Sequence, residues 1–271
     1  MKLYSVINPP CTFCDPGKSF EKDLEDILCS TLFTSAAQQP ISEIYDDMRV
    51  NVNSAIKPKL YPLPASLLSS AVIRNGLTNA NGKVFAGHDL PIWLNNPETA
   101  DVRIMIVGQN PYRDDETMKA NNCNGLGIST PWGIHSLTWR KGILRGLLFH
   151  VAMELIDMCA AKGKTLSVYI TDAYKLCKVD TTAADTANAN LYKDILEKEI
   201  ELVNPDIIIP VGDAAQNMIP KSNRVLNLPH PNARPATWKR YGYNAPDYSA
   251  LNKGDFYISE IVNFAKGLGI C

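Results

Sequence analysis

From about residue 100 onwards, short apolar runs alternate with longer amphipathic stretches, and this alternation constrains the fold more than any other feature. The apolar runs predict strands at residues 103–107, 166–171, 206–209 and 224–227, and the amphipathic stretches predict helices at 136–161, 191–203, 214–218 and 256–266. Strands that are separated by helices pair in parallel and are covered on both faces. We therefore expect an α/β fold, a three-layer sandwich with a central, mostly parallel four-stranded sheet and helices on both faces.

The first 95 residues follow a different pattern. They look helical and irregular, and residues 21–28 combine an acidic first turn with an apolar stripe, which is typical of a surface helix. No repeat, low-complexity tract or Gly/Ser linker interrupts the chain. We expect residues 96–271 to form one α/β domain, with residues 1–95 as a helical or irregular extension packed on it.

Composition excludes several classes of protein. The chain has 271 residues, of which 45% are hydrophobic and 20% are charged, so disordered and fibrous structures are excluded. We find no apolar run of bilayer length and no apolar signal-peptide core. Seven cysteines, an odd number in a long chain, indicate a reducing compartment. We expect an intracellular monomer with no membrane partner.

Unusual polar residues follow the predicted strands, at the edge of a parallel sheet where ligands bind. Four segments stand out: residues 108–113 (GQNPYR), 124–129 (NGLGIS), 171–173 (TDA) and 228–235 (LPHPNARP). Each segment alone is a weak signal, because a Pro-containing turn or a single His is often only structural. In this order and on these elements, they are much more specific.

Together the four segments resemble the motifs of the uracil-DNA glycosylase superfamily. GQNPY is similar to the GQDPYH of the common uracil enzymes and shares its Asn with the GMNPG of the single-strand-selective branch, while GLGIS and HPNAR resemble GLxFS and the final HPS motif. The resemblance covers about residues 100 to 240. It implies an enzyme of base excision repair, which flips a uracil or modified pyrimidine out of single- or double-stranded DNA and hydrolyses the N-glycosidic bond.

The resemblance assigns catalytic roles to Asn110 and His230. A neutral His230 imidazole would donate a hydrogen bond to the departing base, although a structural His at this turn is the alternative. Asn110 would orient the attacking water, but an amide cannot take its proton. The resemblance therefore predicts slower chemistry than in the Asp-bearing enzymes.

Four residues are expected to form the base-binding pocket. Gln109 would offer its backbone N–H to the base, and Tyr112 would exclude the methyl group of thymine. Ile128 stands where the family has a stacking Phe, so either the pocket is weaker or Trp132 supplies the missing surface. Asp172 replaces the Asn that reads uracil, and an ionised Asp only accepts hydrogen bonds. The base specificity then differs from plain uracil, or Asp172 is protonated in the complex, or Asp172 merely caps the next segment.

The net charge of −1 weighs against a generally basic DNA-binding protein, but the charges are unevenly placed. Residues 230–243 interleave basic and aromatic side chains without an acidic residue, which suits contact with phosphates and bases. We expect the DNA contacts to come from Arg234 as the wedge, with Ser129, Trp238, Lys239 and Arg240, and with Ser136 as a further candidate.

No cofactor and no metal are expected. Cys11 and Cys14 have the spacing of a metal-binding pair, but no second pair completes a zinc site. A related branch of the superfamily carries an iron–sulfur cluster, and Cys177 lies at a suggestive place for its third ligand. No fourth cysteine follows where such a cluster needs one.

Three alternative functions remain open from the sequence. The chain could be a catalytically weak or inactive DNA-binding or accessory protein on a glycosylase fold, or an enzyme of modified-nucleotide metabolism. An unrelated Rossmann-like enzyme ranks last, because no GxGxxG follows a predicted strand.

Overall fold

The computed structural model of the chain describes residues 1–7, 12–13, 18–54, 59–70, 72, 77, 84–178 and 185–270. The strands in this part of the chain are β1 (Tyr61–Leu63), β2 (Ala86–Asp89), β3 (Ile92–Leu94), β4 (Val102–Gly108), β5 (Leu126–Ser129), β6 (Leu166–Asp172), β7 (Leu176–Lys178) and β8 (Ile207–Pro210). The α-helices are α1 (Lys18–Thr31), α2 (Gln38–Asn51), α3 (Asp115–Ala120), α4 (Leu137–Arg140), α5 (Leu147–Ala160), α6 (Ala189–Val203), α7 (Asp213–Gln216), α8 (Pro235–Arg240) and α9 (Ala250–Gly267).

The central sheet has the strand order β3-β6-β4-β8 and is mostly parallel. Strand β4 pairs in parallel with β6 on one side and with β8 on the other, while β3 pairs antiparallel with β6 at the edge. Strands β4 and β6 are apolar and almost wholly buried, as expected for strands that are covered on both faces. This sheet confirms the predicted architecture.

Helices cover both faces of the central sheet. On one face, side chains of α5 and α9 pack with Val102, Ile104 and Leu166. On the other face, Phe20 of α1 lies edge-on to Tyr169 of β6, and Glu199 of α6 accepts a hydrogen bond from the Tyr169 hydroxyl. The result is the predicted three-layer sandwich.

A second sheet, which the sequence did not predict, has the order β1-β5-β2-β7. Strands β2 and β5 pair in parallel, and β1 and β7 pair antiparallel at its edges. Because β1, β2 and β3 all lie before residue 95, the description of that segment as only helical and irregular was wrong. The helix predicted at 21–28 is confirmed within α1. The domain boundary at residue 95 stays a prediction.

Two predicted elements differ from those observed. The single helix expected at 136–161 is two helices, α4 and α5, with a break that contains Gly142 and Gly146. A side chain at Gly146 would clash with the Arg140 carbonyl, so this glycine is required where the chain turns between them. In place of the strand expected at 224–227 there are isolated parallel bridges, from Val225 to Ile208 of β8 and from Leu228 to Val211, which directly follows β8. No helix in the described ranges is long and apolar enough to cross a membrane.

Candidate active site

The carboxyl ends of the central strands bring the predicted site residues to one edge of the sheet. Gly108, the last residue of β4, is directly paired with Asp172, the last residue of β6. Beyond β8, the N–H of Gly212 donates to the carbonyl of Leu228 (2.8 Å), two residues before His230. Asp172 and His230 therefore lie on opposite sides of the β4 end, with β4 and β8 between β6 and the segment that leads to His230.

The loop after β4 is held by its backbone and carries Asn110. The carbonyls of Gly108 and Gln109 accept hydrogen bonds from the N–H groups of Ala173 and Tyr174 (both 2.9 Å), so the loop is tied to the end of β6. The half-buried Asn110 side chain donates from Nδ2 to the Pro111 carbonyl (2.9 Å). This bond fixes the plane of the amide that is predicted to orient water.

Gly108 leaves room for two side chains at the β4 end. A Cβ atom at this position would clash with Asp172 Oδ1 and would lie 2.7 Å from Cη2 of Trp132. Trp132 has a φ of +54° and precedes Gly133, whose φ is +66°. A left-handed conformation is an outlier for a bulky residue and costs about 1–3 kcal/mol. The strained turn thus places the Trp132 ring beside Asp172.

Asp172 belongs to a buried network with Asp89 and Arg113. All three are at most 5% exposed. Asp89, the last residue of β2, forms an ion pair with Arg113, whose Nη1 also donates to the carbonyl of Tyr112 (2.7 Å). Burial, and then the charge of Asp89, raises the pKa of Asp172 well above its ordinary value. Its Oδ2 has no hydrogen-bond partner among the described residues.

His230 is half-buried and its ring is oriented by the backbone. Its Nδ1 accepts a hydrogen bond from the N–H of Asn232 (3.1 Å), so the proton of the neutral ring is on Nε2. Burial, and then the charge of Lys253, lowers the pKa of His230. A Cβ atom at Gly212, whose φ is +89°, would lie 3.0 Å from His230 Cβ, so a glycine allows this close approach. His230 therefore presents a neutral N–H donor at neutral pH.

Helix α9 holds the His230 loop in place. Lys253 Nζ donates to the carbonyl of Pro231 (2.8 Å), and the Tyr257 hydroxyl donates to the carbonyl of Pro229. Both donors are buried, and burial raises the pKa of Tyr257, so that its hydroxyl keeps its proton. The carbonyls on either side of His230 are thus fixed by one helix.

The predicted DNA-binding residues divide into exposed and buried ones. Arg234, Lys239 and Arg240 are exposed around α8. Trp238 is fully buried, stacks on Tyr257 with ring centroids 5.3 Å apart and lies edge-on to Tyr243 at 5.1 Å. In this structure the Trp238 ring has no surface for DNA, and it packs beneath the exposed cations instead.

The other predicted site residues occupy different depths. Ile128 and Ser129, in β5, have no exposed surface, and Ser129 Oγ donates to the carbonyl of Thr130 (3.2 Å). Ser136 is 7% exposed, and its Oγ has no hydrogen-bond partner among the described residues. Tyr112 is 60% exposed on the loop after β4. The structure does not bring Ile128 or Ser129 to the surface of the site.

Asp89 and Arg113 were missed in the sequence. Arg113 directly follows the GQNPY segment, but nothing in the pattern identified its partner. Asp89 ends a four-residue strand in the segment without periodicity, and its only signal was a carboxylate beside apolar residues. Within the described residues no group of His, Cys, Asp and Glu is arranged to hold a metal ion. Cys11 and Cys14 lie outside the described residues, and Cys177 is a buried free thiol.

Comparison with known families gives one match. The family described as the Uracil DNA glycosylase superfamily matches residues 97–253, which is more than half of the chain. No curated protein matches the sequence. The matched range contains Asn110, Asp172 and His230 but begins after Asp89.

Proposed function

The chain belongs to the Uracil DNA glycosylase superfamily, and from this premise we propose that it is a monofunctional DNA glycosylase. It hydrolyses the N-glycosidic bond of a flipped-out uracil or modified pyrimidine in DNA, in base excision repair. The observation that carries the proposal is the neutral His230, whose ring carries its proton on Nε2 at the edge of the sheet where Asp172 and Trp132 meet. This arrangement suits a base that leaves as an anion.

The reaction separates charge, and His230 acts on the negative part. As the N-glycosidic bond breaks, the sugar becomes oxocarbenium-like and the electron pair stays with the base. Nε2–H of His230 donates a hydrogen bond to a base oxygen on which that charge develops. One such oriented donor typically increases the rate by about a hundred- to a thousandfold.

Asn110 acts on the water that attacks the sugar. Its amide orients the water by hydrogen bonding, but it cannot accept the proton that the water loses. The proton then leaves after the sugar–oxygen bond has formed, and most of the acceleration comes from stabilising the leaving base. We expect slow turnover compared with enzymes that carry Asp at this position.

The base stacks on Trp132 and presents its edge to Asp172. Trp132 supplies the aromatic surface that the buried Ile128 does not, and stacking on it contributes about 1–3 kcal/mol. The raised pKa of Asp172 favours a protonated side chain at neutral pH. A neutral carboxyl does not repel the O4 of uracil as an ionised one does.

DNA is held by the exposed cations around α8. Arg234, Lys239 and Arg240 provide phosphate contacts, and Arg234, at the N-terminal end of that helix, is placed as the wedge. Tyr112 is a further candidate for a contact with the base, and Ser136 for a contact with a phosphate. A DNA substrate implies that the protein acts inside the cell.

A second candidate is a catalytically weak or inactive DNA-binding protein on the same fold. Two features favour it: the Asn110 amide cannot act as a base, and Ile128 is buried and offers no stacking surface.

A base-release screen distinguishes the two candidates. Oligonucleotides with uracil, 5-hydroxymethyluracil, hypoxanthine and cytosine derivatives are incubated with the wild-type protein and with Asp172→Asn. We expect release of at least one pyrimidine, with a preference that changes in Asp172→Asn. Binding without release of any base would favour the second candidate.

A further inference from the structure

Behind the base-reading position, two carboxyl groups from different sheets meet in the protein interior. Asp172 ends β6 of the central sheet, and Asp89 ends β2 of the second sheet. Each is 4% exposed, and burial, together with the charge of Asp89, raises the pKa of Asp172. Two carboxyl groups that share a buried site disfavour each other's ionisation, so one of them keeps its proton more readily.

The charges around Asp89 and Asp172 also require that one of the two carboxyl groups is protonated. Arg113 is the counterion of Asp89. Lys175, the other nearby cation, is already paired with Glu199, which it contacts directly, and donates to Thr171 Oγ1 (2.8 Å). If both Asp89 and Asp172 were ionised, the five buried charged groups would carry one uncompensated negative charge, which is costly in the interior.

Two other titratable groups that face the network are neutral. His88, whose Nδ1 lies 2.7 Å from the Lys175 carbonyl, has its pKa lowered to about 3 by burial. Burial raises the pKa of the Cys177 thiol to about 11. Neither group supplies a positive charge that would stabilise a second carboxylate.

We propose that Asp89 and Arg113 determine which base is accepted, by keeping Asp172 as a neutral carboxylic acid that shares its proton with Asp89. This inference rests on the proposed function and assigns positioning roles to two residues outside the predicted site. Arg113 fixes Asp89 as the ionised partner, and the proton of Asp172 is directed towards Asp89. The Oδ1 of Asp172, which lies beside Trp132 and Gly108, is then left as a neutral acceptor, while the proton is on the buried Oδ2, which has no other hydrogen-bond partner in the described part of the chain.

A neutral acceptor changes which base edge fits. Oδ1 can accept a hydrogen bond from the N3–H of uracil without placing a negative charge against the O4 atom next to it. An ionised Asp172 would repel O4 and favour the exocyclic amino group of cytosine. The ratio of uracil release to cytosine release is therefore expected to fall when the pair loses its shared proton at high pH.

The variant Asp89→Asn tests the proposal. The amide oxygen that it introduces can still accept a hydrogen bond from Arg113, but Asp172 becomes the nearest carboxyl to that cation and ionises at neutral pH. We expect uracil release by Asp89→Asn to fall by about tenfold or more, and the cytosine-to-uracil ratio to rise. In a protein that already carries Asp172→Asn, adding Asp89→Asn is expected to change neither the rate of uracil release nor the cytosine-to-uracil ratio. The pH profile of base release is also expected to stay the same. If Asp89→Asn lowers uracil release equally in both backgrounds, its role is only structural and the proposal is wrong.

A second measurement reads the proton directly and does not depend on activity. In protein labelled with ¹³C at aspartate carboxyls, infrared spectra at pH 7.5 should contain a protonated-carboxyl band that Asp172→Asn and Asp89→Asn both lack. Aspartate labelling excludes Glu25, whose pKa is raised to about 7, chiefly by burial. If the wild type lacks the band, the proposal that Asp172 and Asp89 share a proton is wrong, even if uracil is released. A band that is present in a protein releasing no base overturns the proposed function instead.

Discussion

Trp132 occupies a backbone conformation that bulky residues rarely adopt, with its ring beside Gly108. The strain persists because the turn at residues 131–133 is fixed by its neighbours; a side chain at Gly133 would clash with Trp139. We predict that Trp132→Leu weakens binding of an oligonucleotide with a non-hydrolysable target nucleotide by about tenfold or more, because base stacking contributes about 1–3 kcal/mol. Fluorescence anisotropy measures the affinity.

The matched variant for this experiment is Trp132→Phe. It keeps an aromatic face at the same backbone position and is expected to retain most of the affinity. If Trp132→Leu and Trp132→Phe bind as tightly as the wild type, Trp132 is not the stacking surface.

At the scale of residues, the sequence indicated those site members that directly follow a strong apolar strand. Asp172 and His230 are of this kind, since both are polar residues placed where a predicted strand ends. Asp89 is not, because its role depends on pairing with Arg113, 24 positions away, and on a contact between two sheets. Trp238 lies in a segment of basic and aromatic residues that predicted DNA contact, but its aromatic neighbours bury it. Long-range packing of this kind is not encoded in local spacing.

At the scale of elements, the end of β4 is the point on which the site is built. We predict that Gly108→Ala reduces base release by about a hundredfold, because the added Cβ displaces Asp172 and Trp132, and small misplacements of reacting groups have effects of this size. Single-turnover base release measures the loss. Gly267→Ala in α9 is the control, since a Cβ there meets nothing within 4 Å. Unchanged release by Gly108→Ala would show that the base binds elsewhere.

The elements that the sequence indicated correctly are long or strongly apolar. Strands β4 and β6 each have seven residues, and α6 has 15, so their periodicity is clear. Strands β1 and β3 have three residues each, which is too short for an alternating pattern to be distinguished from a loop. The break between α4 and α5 was missed because single glycines also occur within helices, and only the contact of Gly146 with Arg140 reveals it.

At the scale of the whole molecule, the charge distribution predicts a shallow salt dependence of DNA binding. Three exposed cations, Arg234, Lys239 and Arg240, form the basic surface in a chain of net charge −1. We expect log Kd to change with log salt concentration with a slope of no more than about 3 for duplex DNA, since each neutralised phosphate contributes about 0.9. The slope is measured from binding curves between about 50 and 200 mM salt. The control is a variant in which Arg234, Lys239 and Arg240 are all replaced by Ala. If its slope is unchanged, DNA binds to a different surface.

Buried histidines make the stability of the fold depend on pH. Burial lowers the pKa of His88 to about 3 and that of His135 to about 4, whereas both titrate near 6.5 in the unfolded chain. The unfolded state therefore binds more protons between about pH 6.5 and pH 4, and each histidine lowers the free energy of unfolding by about 1.4 kcal/mol per pH unit as the pH falls. Urea unfolding at several pH values should show that His88→Asn loses less stability on acidification than the wild type.

Asp172 has the opposite effect and provides the matched comparison. Its pKa is raised in the folded state, so the folded protein holds a proton that the unfolded chain releases above about pH 3.9. Its contribution to stability is present at low pH and is lost as the pH rises through the folded pKa. Asp172→Asn should therefore lose more stability on acidification than the wild type. Parallel pH dependences of the wild type and both variants would contradict this account.

The central claim is that His230 assists the departure of a base from DNA, and release of free base in a single turnover tests it most directly. The wild-type protein is expected to release uracil or a modified pyrimidine from an oligonucleotide and to leave an abasic site. His230→Ala is expected to bind the same oligonucleotide with similar affinity and to release the base about a hundred- to a thousandfold more slowly. Equal rates for the two proteins, or no release of any base by the wild type, would contradict the account.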